Sequence, residues 1–179
     1  MIILQPSSFT GKYSLAKSTQ ADPIIQNYID ANEGNIIRRI LGVTLGNLFI
    51  ANIDATTHLP VDARFLAIYN SFQEQPDESL CCGRKIWESL GMKEILKAGV
   101  YDAYVRGTQV KQAQVGTTIN QSETGTTVSA NSAQRIGESI YNESLDWIEA
   151  IQWYCKKFKP EDYSEFKGVC FEAEFSSLL

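Results

Sequence analysis

Residues 107–131 read GTQVKQAQVGTTINQSETGTTVSAN, and this stretch decides the fold because it interrupts a chain that is otherwise patterned for helices. It is crowded with Thr, Gln, Ser and Gly, and its only charged side chains are Lys111 and Glu123. Val110, Val115, Ile119 and Val128 are its only large apolar residues, too few to bury a core but enough for a ribbon laid on another surface. β-branched residues in short alternation suit a pleated backbone. Ser122-Glu123-Thr124-Gly125 offers a turn in which Gly125 takes positive φ. The expectation is a long β-hairpin over about 108–130, with Gln109–Asn120 paired to Gly125–Ala130, projecting between two helices. Such a ribbon has open edges and is barely stable alone in water, so neighbouring molecules would have to cover it. The alternative is a surface loop without regular structure.

On its N-terminal side, Met92, Ile95, Leu96, Gly99, Ala103 and Tyr104 mark a buried helical stripe ending at Arg106-Gly107. Gly99 inside it costs about 1 kcal/mol relative to Ala, which points to close helix–helix approach there. On its C-terminal side, Asn131 and Gln134 have the spacing of a capping box. Ala133, Ile136, Ile140, Trp147, Ile148, Ile151, Cys155 and Phe158 then mark a long helix that Lys159-Pro160 stops. Acids precede Lys156, Lys157 and Lys159 along it, the order the helix dipole favours.

Further upstream, Asp22 and Pro23 open a first helix whose face carries Ile25, Tyr28, Ile29, Ile36, Ile37 and Ile40. Glu33, Arg38 and Arg39 are expected off that face, and Gly42 closes the helix. Thr44 is expected to cap a short helix from Leu45 to about Ile53, and a third spans about 61–72. Residues 73–78 read as a solvated loop, and Ile86, Trp87 and Leu90 as one or two helical turns. Residues 1–21 form an arm, either frayed or pinned to a surface. Residues 160–179 form a tail in which Val169, Phe171, Ala173 and Phe175 alternate with Cys170, Glu172 and Glu174, the period of a strand. That strand either adds to another chain or folds back on its own domain. The expected class is therefore mainly α: a compact helical bundle over 22–159 with one projecting hairpin and extended arms at both ends.

With 179 residues the chain fits one domain, and 44% hydrophobic content is ordinary for a folded protein. A formal net charge of −5 argues against a nucleic-acid-coating surface, but not against one that DNA slides past without sticking. Ile2-Ile3-Leu4 is too short for the apolar core of a signal peptide, and no run approaches the length of a membrane span. Cys81, Cys82, Cys155 and Cys170 lack the spacing of a zinc site and read as unpaired thiols. The lone His58 sits in a Thr/Pro turn, no phosphate loop is present, and the acids are spread along helix faces. Glu33 and Glu143 could meet in space, although carboxylates on solvated faces are the rule. Trp87, Trp147, Trp153, Tyr101 and Tyr104 read as core or interface rather than as base-stacking platforms. No catalytic residue, cofactor site or metal site is assigned.

ADPIIQNYIDANEGNIIRRILGVTLGNLFIA (residues 21–51) resembles the opening helices of head–tail connector (adaptor) proteins of tailed bacteriophages, where a helix ending in Leu-Gly is followed by a short one. Residues 92–158, from MKEILKAGVYDAYVRG through the Val/Thr/Gly stretch to the long helix, are similar to a type found in phages of Bacteroidetes-type hosts. The resemblance spans roughly 22–168 and rests on apolar residues and glycines; the first 20 residues and the last dozen lie outside it. It implies a non-enzymatic virion protein, assembled in the host cytoplasm, that forms a ring, commonly a dodecamer, below the portal at the head–tail neck. Its implied partners are further copies of itself, the portal protein and tail or neck proteins, with DNA passing through unbound and no membrane. Carried onto this chain, Val110, Val115, Ile119 and Val128 would meet the adjacent subunit or line the channel. Val169, Phe171 and Phe175 would dock on the portal. The other readings are a neck stopper or tail-completion protein, and a cytoplasmic helical adaptor that binds a protein partner through the hairpin.

Overall fold

A computed structural model describes residues 2–14, 21–75, 86–113, 116–119 and 130–168. Among them are five α-helices and two separate antiparallel strand pairs, so the chain is mainly helical. Helix α1 spans Ala21–Leu41, α2 Val43–Ala51, α3 Ala63–Tyr69, α4 Met92–Gln109 and α5 Ala130–Trp153, with a π-helical turn at Tyr154–Phe158 extending α5. Strand β1 (Phe72–Glu74) pairs with β2 (Trp87–Ser89), and β3 (Val110–Ala113) pairs with β4 (Gly116–Ile119).

The apolar stripes put the helices where their periodicity requires. Ile25, Ile29, Ile37 and Ile40 of α1 are fully buried against Met92, Ile95 and Leu96 of α4 and Ile148 and Ile151 of α5, all in one core. Gly42, at φ +78°, takes the left-handed conformation that breaks α1 from α2. Helix α2 begins at Val43, not after a Thr44 cap, because Gly42 already supplies the turn. Gly99 confirms the close approach expected of it: a Cβ there would stand 2.8 Å from Ile36 Cδ1 on α1. At the far end of α4, a Cβ on Gly107 would stand 2.0 Å from Tyr28 Oη, so the Tyr28 ring lies directly over the glycine that precedes the hairpin.

Other expectations also need correction. The strand pair after α4 is present but short: Val110 faces Ile119 and Ala113 faces Gly116, so what was taken as one long strand folds on itself. Only residues 114 and 115 separate its arms, and such a local closure sacrifices less chain entropy than pairing with residues 125–130 would. The proposed turn at 122–125 lies outside the described residues. Residues 72–74, expected as the end of a helix running into a solvated loop, and 87–89, expected as helical turns, are instead partner strands in the register Phe72↔Ser89, Gln73↔Glu88, Glu74↔Trp87. Helix α3 is correspondingly shorter, starting after Asp62, whose carboxylate accepts from the Arg64 N–H. Glu33 does not lie off the buried face of α1; it is only 1% exposed.

That last residue explains the N-terminal segment. Of the two alternatives for it, pinned or frayed, residues 2–14 take the first, and the surface is the chain's own. Ile3, Leu4, Phe9 and Tyr13 are buried in the core. The Glu33 carboxylate accepts backbone N–H bonds from Ile2 (2.7 Å), Ile3 (2.6 Å) and Leu4 (2.7 Å). Lys12 reaches Glu143 on α5 at 2.7 Å, so Glu33 and Glu143 each have separate partners and do not form a carboxylate pair. His58, at φ +58°, holds the other side of the segment with Nδ1 3.1 Å from the Ile2 carbonyl oxygen.

The aromatic residues are paired within the chain. Trp87 stacks on Trp153 with ring centroids 5.0 Å apart, Tyr13 meets Tyr101 edge-on, and Tyr28 meets Tyr104 edge-on. Beside them Cys155 is a free thiol buried in the core, and burial pushes its pKa up to about 12. It therefore stays neutral and inaccessible at ordinary pH. Iodoacetamide at pH 8 is expected to leave Cys155 unlabelled in the native chain and to label it after urea unfolding. Peptide mapping by mass spectrometry reads this directly, and native labelling at Cys155 would contradict it.

Candidate functional site

A groove of about 420 Å³ lies between α1, α4 and α5. That is within the usual range of ligand-sized clefts. Gly99, Asp102 and Ala103 of α4 line one of its walls. Ile36, Ile40, Leu145 and Ile148 give it an apolar floor. Arg39, Asp102, Arg106, Glu138 and Tyr141 give it a charged and polar rim.

The charges are not spread evenly. Arg106 Nε donates to Asp102 at 3.0 Å, one helical turn away, and Arg106 lies 4.0 Å from Glu138 across the groove. These three residues occupy the end of the groove next to the hairpin. At the other end Arg39 has no ion pair with any described residue, and it sits near enough to Tyr141 to oppose the rise in that hydroxyl's pKa. Burial is the larger effect and holds the Tyr141 hydroxyl above its usual value. Gln152 closes the Arg39 end by donating to the Ile40 carbonyl at 3.1 Å.

Burial also raises the Asp102 carboxyl above its ordinary value of 3.8, against the opposing pull of the Arg106 guanidinium. A carboxyl whose native pKa is raised binds its proton more readily in the folded state than in the unfolded one. Its contribution to stability therefore grows as pH falls through the native value and levels off below 3.8. Comparing thermal unfolding of the parent and Asp102→Asn between pH 7 and pH 4 is expected to show the difference moving in the parent's favour as pH falls. A difference that stays constant over that window would mean that Asp102 titrates normally.

Val110 and Ile119 are brought opposite each other as the first cross-strand pair after α4. Val115 and Val128 lie outside the described residues, as do Val169, Phe171 and Phe175. Among the described residues, no group of three or more His, Cys, Asp and Glu side chains could hold a metal ion, and no helix is long and apolar enough to cross a membrane.

Ile36, Ile40, Gly99, Ala103 and Ile148 were expected as buried helix positions, but Asp102, Glu138 and Tyr141 on the rim were not singled out from sequence. Arg39 was expected off the buried face of α1 and Arg106 at the end of the α4 stripe, and each lies near the end of its helix. Compared with protein-family models, curated proteins and solved structures, the chain has no match.

Proposed function

We propose that this chain is a structural subunit of a tailed-phage neck: a head–tail connector that assembles as a ring below the portal and extends the DNA channel. The observation that carries this reading is the β3–β4 hairpin. It continues the end of α4, and among the described elements β3 and β4 pack mainly on each other, with β3 also against the end of that helix. No third strand joins it among the described residues. A two-stranded ribbon of this kind is marginal in water, and a head-to-tail interface in a ring supplies the missing cover.

Three further points support the reading. The resemblance of residues 22–168 to connector proteins follows the order of elements α1, α2, α4, hairpin, α5. The net charge of −5 disfavours adhesion of DNA passing through a channel. Gly107 under Tyr28 fixes the direction in which α4 delivers the hairpin, which a repeated interface requires. On this reading the body is a compact helical unit from which the hairpin reaches the next copy through Val110, Val115, Ile119 and Val128. Val169, Phe171 and Phe175 serve the portal side, in a virion-bound, non-catalytic role.

Replacing residues 110–119 by a two-glycine link tests the hairpin's part. The variant is expected to keep its helical circular-dichroism spectrum and a melting temperature close to the parent's, since all five α-helices lie outside the replaced segment. It is also expected to lose ring formation on the portal. Rings formed as readily without the hairpin would overturn the reading.

A further inference from the structure

We infer that the β3–β4 hairpin of one copy adds to the free edge of β1 in the next copy, with Lys111 opposite Glu74, so that two two-stranded sheets become one four-stranded sheet across the subunit boundary. The pairing rests on the connector reading for its repeat and adds to it the surface on which the ribbon lands.

Both sheets of this chain stop at two strands among the described residues. The backbone of β1 is bonded to β2 on one side, and on the other no described backbone group bonds to it. An open edge of this kind accepts a further strand unless something covers it. The inner face of the β1–β2 sheet is already held: Phe72 packs on Tyr154 with ring centroids 4.9 Å apart, Trp87 stacks on Trp153, and Ser89 is fully buried. Gln73 and Glu88 are exposed on its outer face, and Ile86 and Leu90, either side of the β2 core, are exposed as well.

One molecule cannot close this pair on itself. The β1–β2 sheet adjoins the start of α4, where a Cβ on Gly91 would meet the backbone of Tyr69 and Asn70, just ahead of β1. Strand β3 begins at the far end of the same helix, directly after Gln109. Helix α4 has 18 residues and is therefore about 27 Å long at ~1.5 Å per residue. Each hairpin strand has 4 residues and spans about 13 Å at ~3.3 Å per residue. Even folded back along α4, the ribbon would stop halfway to its own β1. Donor and acceptor lie at opposite ends of one molecule, so joining them makes a head-to-tail contact that repeats from copy to copy.

Charge and length agree. Glu74 and Glu88 are the only charged residues of β1 and β2, and neither forms an ion pair with a described residue. Lys111 is the only charged residue of β3 and β4. Strand β1 offers 3 residues and β3 brings 4. Laid antiparallel, the arrangement with the stronger ladder, Lys111 opposite Glu74 places Gln112 opposite Gln73 and Ala113 opposite Phe72. Opposite charges then meet directly and no like charges are opposed.

Disulfide trapping in the full chain, mixed with the portal protein, tests this. Cys81, Cys82 and Cys170 are first replaced by Ser, and Glu74→Cys is combined with Lys111→Cys. Residues opposed across a ladder bring their Cβ atoms within about 1 Å of the span of a disulfide. Copper–phenanthroline oxidation is expected to give a ladder of products at twice the chain mass and above. At ~10 µM chain, linkage is expected on the order of a hundredfold faster than in a Glu74→Cys, Ser139→Cys control, because opposed thiols meet at an effective concentration on the order of millimolar. Ser139 is exposed on α5. The neighbouring pair, Gln73→Cys with Gln112→Cys, is expected to give the same ladder and replaces the first pair if circular dichroism shows that one misfolded. The absence of a ladder from both pairs would overturn the inference. Microscopy of the same samples separates it from the connector reading. Rings without a ladder would overturn the β1 assignment alone, whereas a ladder without rings would uphold that assignment and count against the connector.

Discussion

Glu33→Ala is expected to destabilise the chain by about 3–5 kcal/mol, the range for removing one partner of a buried, hydrogen-bonded charge. Its carboxylate lies in the core, 1% exposed, and three consecutive backbone N–H groups of Ile2, Ile3 and Leu4 converge on it at 2.6–2.7 Å. Charge-assisted bonds this short are what make a buried carboxylate tolerable. Truncation leaves three donors facing an apolar core, and the segment must either stay with unpaired N–H groups or detach and expose Ile3 and Leu4. Glu33→Gln separates these contributions. Its carbonyl oxygen can still accept from Ile3 and Leu4, while its amide meets the Ile2 N–H donor to donor, so its cost is expected at about 1–3 kcal/mol. Urea unfolding of the three proteins measures the order, with faster proteolysis near the N-terminus of Glu33→Ala as the local signature. If Glu33→Ala lies within about 0.5 kcal/mol of the parent, the level of an ordinary surface substitution, then the segment does not depend on this carboxylate.

Gly91→Ala carries the second large effect. Gly91 sits at φ +87° where the chain turns from β2 into α4, and a Cβ there would stand 2.3 Å from the Tyr69 carbonyl oxygen and 2.6 Å from the Asn70 carbonyl carbon. Both are backbone atoms at the end of α3 and cannot rotate away. Left-handed strain costs about 1–3 kcal/mol, and forcing α3 from α4 adds about as much again, so about 2–6 kcal/mol in total is expected. Gly11 is the control. It has the same kind of backbone at φ +63°, with nothing within 4 Å of an added Cβ. Gly11→Ala should therefore cost the backbone strain alone, about 1 kcal/mol. Thermal unfolding that ranks the two variants equally would show that contact with α3 is not what makes Gly91 necessary.

These two residues also show what a sequence reveals and what it conceals. The helices were legible because their apolar stripes repeat over several turns, and the buried positions of α1 are those that the spacing of Ile25, Ile29, Ile37 and Ile40 predicts. Gly42 was legible as a stop because a positive φ leaves few other choices. Glu33 was misread because a carboxylate normally seeks water, although it lies four residues after Ile29 and four before Ile37, on the same stripe. Its partners are backbone N–H groups, which leave no mark in the sequence. Strands β1 and β2 were missed because each is only three residues long and they are far apart in the sequence. The hairpin was placed correctly, but its register was not, since residues 116–119 and 125–128 are equally rich in Thr, Gly and β-branched residues. The groove could not be read at all, because it exists only once three helices are assembled around Gly99 and Ala103.

The proposal that this chain is a phage connector whose copies complete one another's β3–β4 ribbon is tested most directly by electron cryomicroscopy of the chain mixed with the portal protein encoded beside it. The account predicts a closed ring, with dodecameric symmetry as the resemblance implies, in which residues 110–119 are covered by the adjacent subunit. Particles with the chain absent from the portal, or present as single copies with residues 110–119 facing solvent, would contradict it.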